Sequence, residues 1–186
     1  MTPIMSLWLP ILVGTVAAFI ASSLIHMVLP WHKGDFPPVP NQDQIMDALR
    51  PFNLPPGDYM IPRPKDMAEL KTPEFKAKAE RGPVVIMTLY KGMMENMGAL
   101  LGKWFLYQLI VTLFAAHIAG TLVGPGGNGK LIFHSVFIVS FAGYVLALWQ
   151  LTIWYRRSIR ITLTSTFDGI IYAAITALAF VWLWPQ

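Results

Sequence analysis

Two uncharged apolar runs, residues 104–123 and 131–155, joined by the turn GPGGNGK at 124–130, constrain this chain more than any other feature. About 20 helical residues span a bilayer core of roughly 30 Å, and neither run contains Asp, Glu, Lys or Arg. A connector this short and glycine-rich ends one helix and returns the chain beside it. The expected unit is a membrane hairpin of two antiparallel helices.

Two more runs match it. Residues 3–29 are uncharged and end at Pro30, with Pro10 early in the run where a helix tolerates proline. Residues 165–184 form the last run, with Asp168 as its one charge. A secretory signal reading of the first run fails because no Lys or Arg precedes it, it is too long, and no clear small-residue cleavage site follows. The expected fold is an all-α integral membrane protein, a four-transmembrane-helix bundle with helices at 3–29, 98–123, 131–155 and 165–184. Composition agrees: the 186 residues are 55% hydrophobic and 13% charged, with a mean hydropathy of +0.52.

Every span carries small residues at close to four-residue spacing: Gly14, Ala18 and Ser22; Thr112, Ala116, Gly120 and Gly124; Ser140, Gly143 and Ala147; Gly169, Ala173 and Ala177. Such stripes let helices approach closely. They serve packing within the bundle and offer faces for a protein partner or a second copy of the chain.

Charge is segregated. Nine of ten acidic and ten of fourteen basic residues fall within 31–103, so that stretch is nearly neutral. The net charge of +4 comes largely from Arg156, Arg157 and Arg160 in one short loop, which excludes a nucleic-acid-binding patch. The absence of cysteine removes disulfides, thiolate metal sites and a cysteine nucleophile.

Residues 31–97 are polar and rich in proline. Asn41 is positioned to cap a short helix over 42–50, and Thr72 with Pro73 starts a second that Gly82 and Pro83 stop. LPPGDYMIPRP at 54–64 favours extended or turn structure. VVIMTLY at 84–90 is the strand candidate, with 59–61 as its local partner, so a short β-hairpin is expected. A helix leading into the membrane is expected to begin at 93–103.

Four spans place the polar segment and the arginine loop on one face, and both termini with the glycine turn on the other. Thirteen of the fourteen Lys and Arg residues then share the first face, which the charge asymmetry of membrane proteins makes cytoplasmic. Trp31, Trp104, Trp149 and Trp154 fall near one interface, and Trp8, Trp182 and Trp184 near the other, as anchors.

Candidate chemistry is sparse. Asp168 could serve as an ion or proton site, since an ionisable group in a span is functional by default. Its competing role is a cap paired with Ser165 at the start of the fourth helix, or a partner for a nearby arginine. His117 and His134 fall at similar depth on the two arms of the hairpin. Facing imidazoles there could hold haem or a metal, or relay protons, while interhelical hydrogen bonding is the simpler use. Gln108 and Gln150 are polar contacts in the opposite half. His26 and His32 straddle the end of the first helix, and His32 with Asp35 could share a site with the polar segment. Met87, Met93, Met94 and Met97 suit a soft metal such as Cu(I), or plain hydrophobic contact. Arg156, Arg157 and Arg160 could hold anionic lipid headgroups. No HExxH, GxSxG or phosphate-cradling glycine loop occurs.

The segments LPPGDYMIPRP, TPEFKAKAERGPVV and NMG before a tryptophan-led span resemble small uncharacterised bacterial four-helix inner-membrane proteins. The resemblance implies a bacterial inner-membrane location and brings no activity, cofactor or site residues. The sequence thus leads to a structural, assembly or interaction subunit. A small oligomeric transporter or channel is the first alternative, and a redox subunit using His117 and His134 the second.

Overall fold

The computed structural model describes residues 1–92 and 96–186. In chain order its elements are α1 (Trp8–Met27), α2 (Gln42–Leu49), β1 (Gly57–Ile61), α3 (Pro73–Arg81), β2 (Val85–Leu89), α4 (Met97–Leu122), α5 (Gly129–Phe141), α6 (Leu148–Tyr155) and α7 (Ile159–Leu183). Four helical stretches are long and apolar enough to cross a membrane: Ile4–Met27, Met97–Leu122, Gly129–Tyr155 and Ile159–Leu183. Two compact units result, one of Met1–Pro37 with Asn96–Gln186 and the other of Pro38–Glu95.

In the first unit α1 and α5 each pack against both α4 and α7. The small-residue stripes supply much of the contact: Gly14, Ala18 and Ser22, Ala116 and Gly120, and Gly169, Ala173 and Ala177 are all buried. At Gly120 a Cβ would lie 2.6 Å from the Thr2 carbonyl oxygen. Thr2 donates from its amide to the Gly120 carbonyl (2.7 Å) and from its hydroxyl to that of Val123 (2.8 Å). At Gly169 a Cβ would collide with Val145 and sit 3.2 Å from Tyr144 Cβ, so α7 lies directly on the third span only because this position is bare.

The third span is not one continuous α-helix. Ala142–Leu146 form a π-helical turn between α5 and α6, and the Tyr107 hydroxyl donates to the Gly143 carbonyl inside it (2.5 Å). Turns of this kind re-aim side chains and recur at functional sites. Here the turn carries buried Tyr144.

Two apolar clusters fill the unit. One contains Leu7, Ile11, Ala115, Ala116, Ala119, Ile132, Val136, Ala177 and Phe180. The other contains Ala18, Ile25, Val111, Tyr144, Val145 and Tyr172. The tryptophans divide by use. Trp8, Trp154 and Trp182 are exposed, as anchors would be. Trp104 donates to Ser22 Oγ (2.9 Å) and Trp184 to the Gly124 carbonyl (3.0 Å), so these two are structural.

The second unit holds the antiparallel pair β1–β2, with Tyr59 opposite Met87 and the Thr88 hydroxyl donating to Asp58 (2.6 Å). Thr72 caps α3 by accepting from the Phe75 amide (3.2 Å). Asn41 does not act as expected. It adopts φ 52° with no side-chain cap bond, a left-handed conformation that asparagine tolerates. Phe75 is the one buried residue among those described in this unit. Of the methionines, Met87 is half-buried on β2 and Met97 is exposed at the start of α4, while Met93 and Met94 lie outside the described residues. Asn96 caps α4 by accepting from the Gly98 amide (2.9 Å).

Candidate functional site

Asp168 is buried in the third turn of α7, its side chain only 4% exposed. The helix begins at Ile159, more than two turns earlier, so the capping role with Ser165 does not hold. No arginine pairs with it among the described residues. Its neighbours come from the far end of the sequence. Pro30 closes α1 and opens a tight turn, Pro30–His32, that packs on α7. This brings His32 Nε2 to 2.9 Å from Asp168 Oδ2, while His32 Nδ1 lies 2.7 Å from Asp35 Oδ2. His26, in the last turn of α1, stacks on His32 with ring centroids 4.4 Å apart, and its Nε2 is 4.0 Å from the same Asp168 oxygen. His26 Nδ1 faces the Ser22 carbonyl at 3.0 Å.

Valence fixes the proton count here. A carbonyl only accepts, so His26 carries its proton on Nδ1 and, when neutral, presents a bare Nε2 toward Asp168. His32 has a carboxylate oxygen at each ring nitrogen, and ionised carboxylates also only accept. Either His32 is an imidazolium between two carboxylates, or one carboxyl keeps its proton. A single exchangeable proton therefore sits between His32 Nε2 and Asp168 Oδ2. Asp168 Oδ1 and Asp35 Oδ1 are buried with no hydrogen-bond partner among the described residues.

Beside this cluster lies a cavity of about 840 Å³. Ser22, Ser23 and His26 line it from α1, Leu101, Trp104 and Tyr107 from α4, Tyr144 from the π turn, and Ser165, Asp168 and Tyr172 from α7. The aromatic walls support one another. Trp104 stacks on Tyr107 (5.6 Å) and meets Tyr172 edge-on (6.2 Å), and Tyr144 meets Tyr172 edge-on (5.7 Å). The Tyr144 and Tyr172 hydroxyls are buried and unpartnered among the described residues. A mostly apolar pocket with a few convergent polar groups is the usual form of a small-molecule site.

The other candidates lie elsewhere. His117 and His134 are both exposed, with no hydrogen bond or ring contact between them; His134 instead meets Phe133 edge-on (6.1 Å). Arg156 ends α6 at φ 53° and is exposed, as is Arg157. Arg160, in the first turn of α7, brings its guanidinium close to Gly34. Gln108 is fully buried, with only a long contact from its Nε2 to Ser22 Oγ (3.4 Å), while Gln150 is exposed.

His26, His32 and Asp168 were each visible in the sequence, but their union was not. The signal was available: the first and fourth spans run in opposite directions, so the end of one and the start of the other share a depth.

No protein family, curated protein or solved structure matches this chain.

Proposed function

We propose that this chain is a multi-pass bacterial inner-membrane protein, with both termini outside, that binds a small amphiphile in the α1/α4/α7 pocket. The ligand's apolar body lies among Leu101, Trp104 and Tyr107, and its head, a hydroxyl or amine, donates to Asp168. The observation that carries this reading is a nine-tenths buried carboxylate with one unpartnered oxygen lining a large apolar cavity. An acceptor left unmade in such a place costs about 1–3 kcal/mol, which a donating ligand recovers. The packed cluster from Leu7 to Phe180 fills the opposite half of the bundle, which supports binding over conduction.

Sidedness rests on the arginine loop. Arg156 and Arg157 lie between the third and fourth spans and Arg160 in the first turn of the fourth, and short basic loops stay in the cytoplasm. Native mass spectrometry of the full chain in mild detergent tests the binding. The wild type should carry an added mass of lipid size that Asp168→Asn loses while keeping its helical circular dichroism. A bare wild type, or equal retention by the variant, contradicts the proposal.

A second reading is supported by the other unit. With Phe75 alone buried among the described residues and Phe52, Met67, Val84 and Tyr90 exposed, Pro38–Glu95 has little core of its own and suits a partner-binding role. Co-purification of a stoichiometric companion that Phe52→Ser with Val84→Ser releases is the expected result.

A further inference from the structure

We propose that His26, His32 and Asp168 form a binding site for a divalent first-row transition ion of the zinc class. The three residues each offer one donor atom, and these lie within 4.8 Å of one another. Donors at about 2.0–2.2 Å from a tetrahedral ion are roughly 3.3 Å apart. The observed separations of 2.9 Å and 4.0 Å to Asp168 Oδ2 bracket that value, and the half-exposed His26 ring completes the set by turning out of its stack on His32. Two imidazoles and one carboxylate select zinc, iron, cobalt or nickel over magnesium and calcium, which take oxygen ligands.

The surroundings of the two imidazoles point the same way. A metal-bound histidine almost always donates from its other ring nitrogen to a carbonyl or carboxylate, which fixes the ring and its tautomer. Both rings have that partner here. His26 Nδ1 is held by the Ser22 carbonyl at 3.0 Å and His32 Nδ1 by Asp35 at 2.7 Å. Both Nε2 atoms are thereby left toward the third ligand, Asp168. Asp168 is 4% exposed at its side chain, and its second oxygen has no partner among the described residues. The ion takes the place of the proton between His32 Nε2 and Asp168 Oδ2, so binding releases a proton to solvent. His26 and Asp168 also line the cavity, which gives the ion a face toward a fourth ligand.

The site can be loaded with Co²⁺, and separately with Zn²⁺, in the purified full chain with any affinity tag removed. Metal retention needs no pocket amphiphile, so its failure and the failure of the amphiphile reading are distinguishable. The expected result is one Co²⁺ per chain with visible ligand-field absorption, displaced by Zn²⁺. His26→Ala, His32→Ala and Asp168→Asn should each weaken binding at least about 100-fold, and Asp35→Asn about 10–100-fold through the His32 ring. His117→Ala with His134→Ala should bind as wild type. His26 is half exposed, so its variant decides the matter if Asp168→Asn does not fold. A folded wild type that retains neither ion, or a His26→Ala chain that retains cobalt with undiminished affinity, overturns the proposal.

Discussion

Phe180 and Asp168 are buried on the same helix about three turns apart, and the bundle treats them in opposite ways. Phe180 shares an apolar cluster with Leu7, Ala115, Ala116, Ala119, Ile132, Val136 and Ala177, all nearly inaccessible. Around Asp168 stand Ser22, Trp104, Tyr144 and Tyr172, which touch one another and line a cavity of about 840 Å³. The stripes of small residues run through both halves, so helix spacing alone does not make the difference. In the filled half large aliphatic and aromatic side chains key into alanine faces. In the hollow half aromatic rings brace one another at centroid distances near 6 Å around the cavity. A membrane bundle gains little from hydrophobic burial and depends on such packing and on interhelical hydrogen bonds. The half that gives up packing density is the half that holds Asp35, Asp168, His26 and His32.

This contrast can be broken at several points. The largest expected effect is in the filled half. Phe180→Ala should cost about 3–5 kcal/mol in unfolding from mixed micelles, the range for emptying a large aromatic site, while leaving metal retention at the other end intact. A loss of both together would mean the halves are not separable. Next is Gly169→Val, which drives a side chain into Val145 and Tyr144. Overpacking of this kind costs about 1–3 kcal/mol, and the variant should lose bound amphiphile in native mass spectra. Trp104→Phe should be milder, about 0.5–1.5 kcal/mol for the lost bond to Ser22. His117→Ala and His134→Ala should change stability by no more than about 0.5 kcal/mol, as substitutions at exposed positions do. A large effect at either would restore the outer histidines as a site.

What the sequence exposed follows from which constraints are one-dimensional. A bilayer-length apolar run is written in consecutive residues, and four helices of that character are present. The pairing of 59–61 with the strand at Val85–Leu89 was likewise local enough to read, as was the Thr72 cap. The π turn at Ala142–Leu146, whose Gly143 carbonyl accepts from Tyr107 of another helix, was not. Asp168 was legible as a residue of interest and illegible in its role, because α7 starts at Ile159 in a polar stretch that hydropathy excludes. His117 and His134 share a depth along the membrane normal, but depth does not determine which helix face a residue occupies. Both of those residues face outward, whereas His32 reaches Asp168 by way of a turn that no periodicity encodes.

The absence of cysteine makes one comparison especially clean. Single variants Ser165→Cys, on the cavity wall, and Ala116→Cys, in the filled half, can be treated in native membranes with a bilayer-permeant maleimide. A hollow Asp168 half predicts rapid modification of the first and protection of the second until the chain is denatured. Equal protection of both, or faster reaction at residue 116, would contradict the division of the bundle on which the site assignment stands.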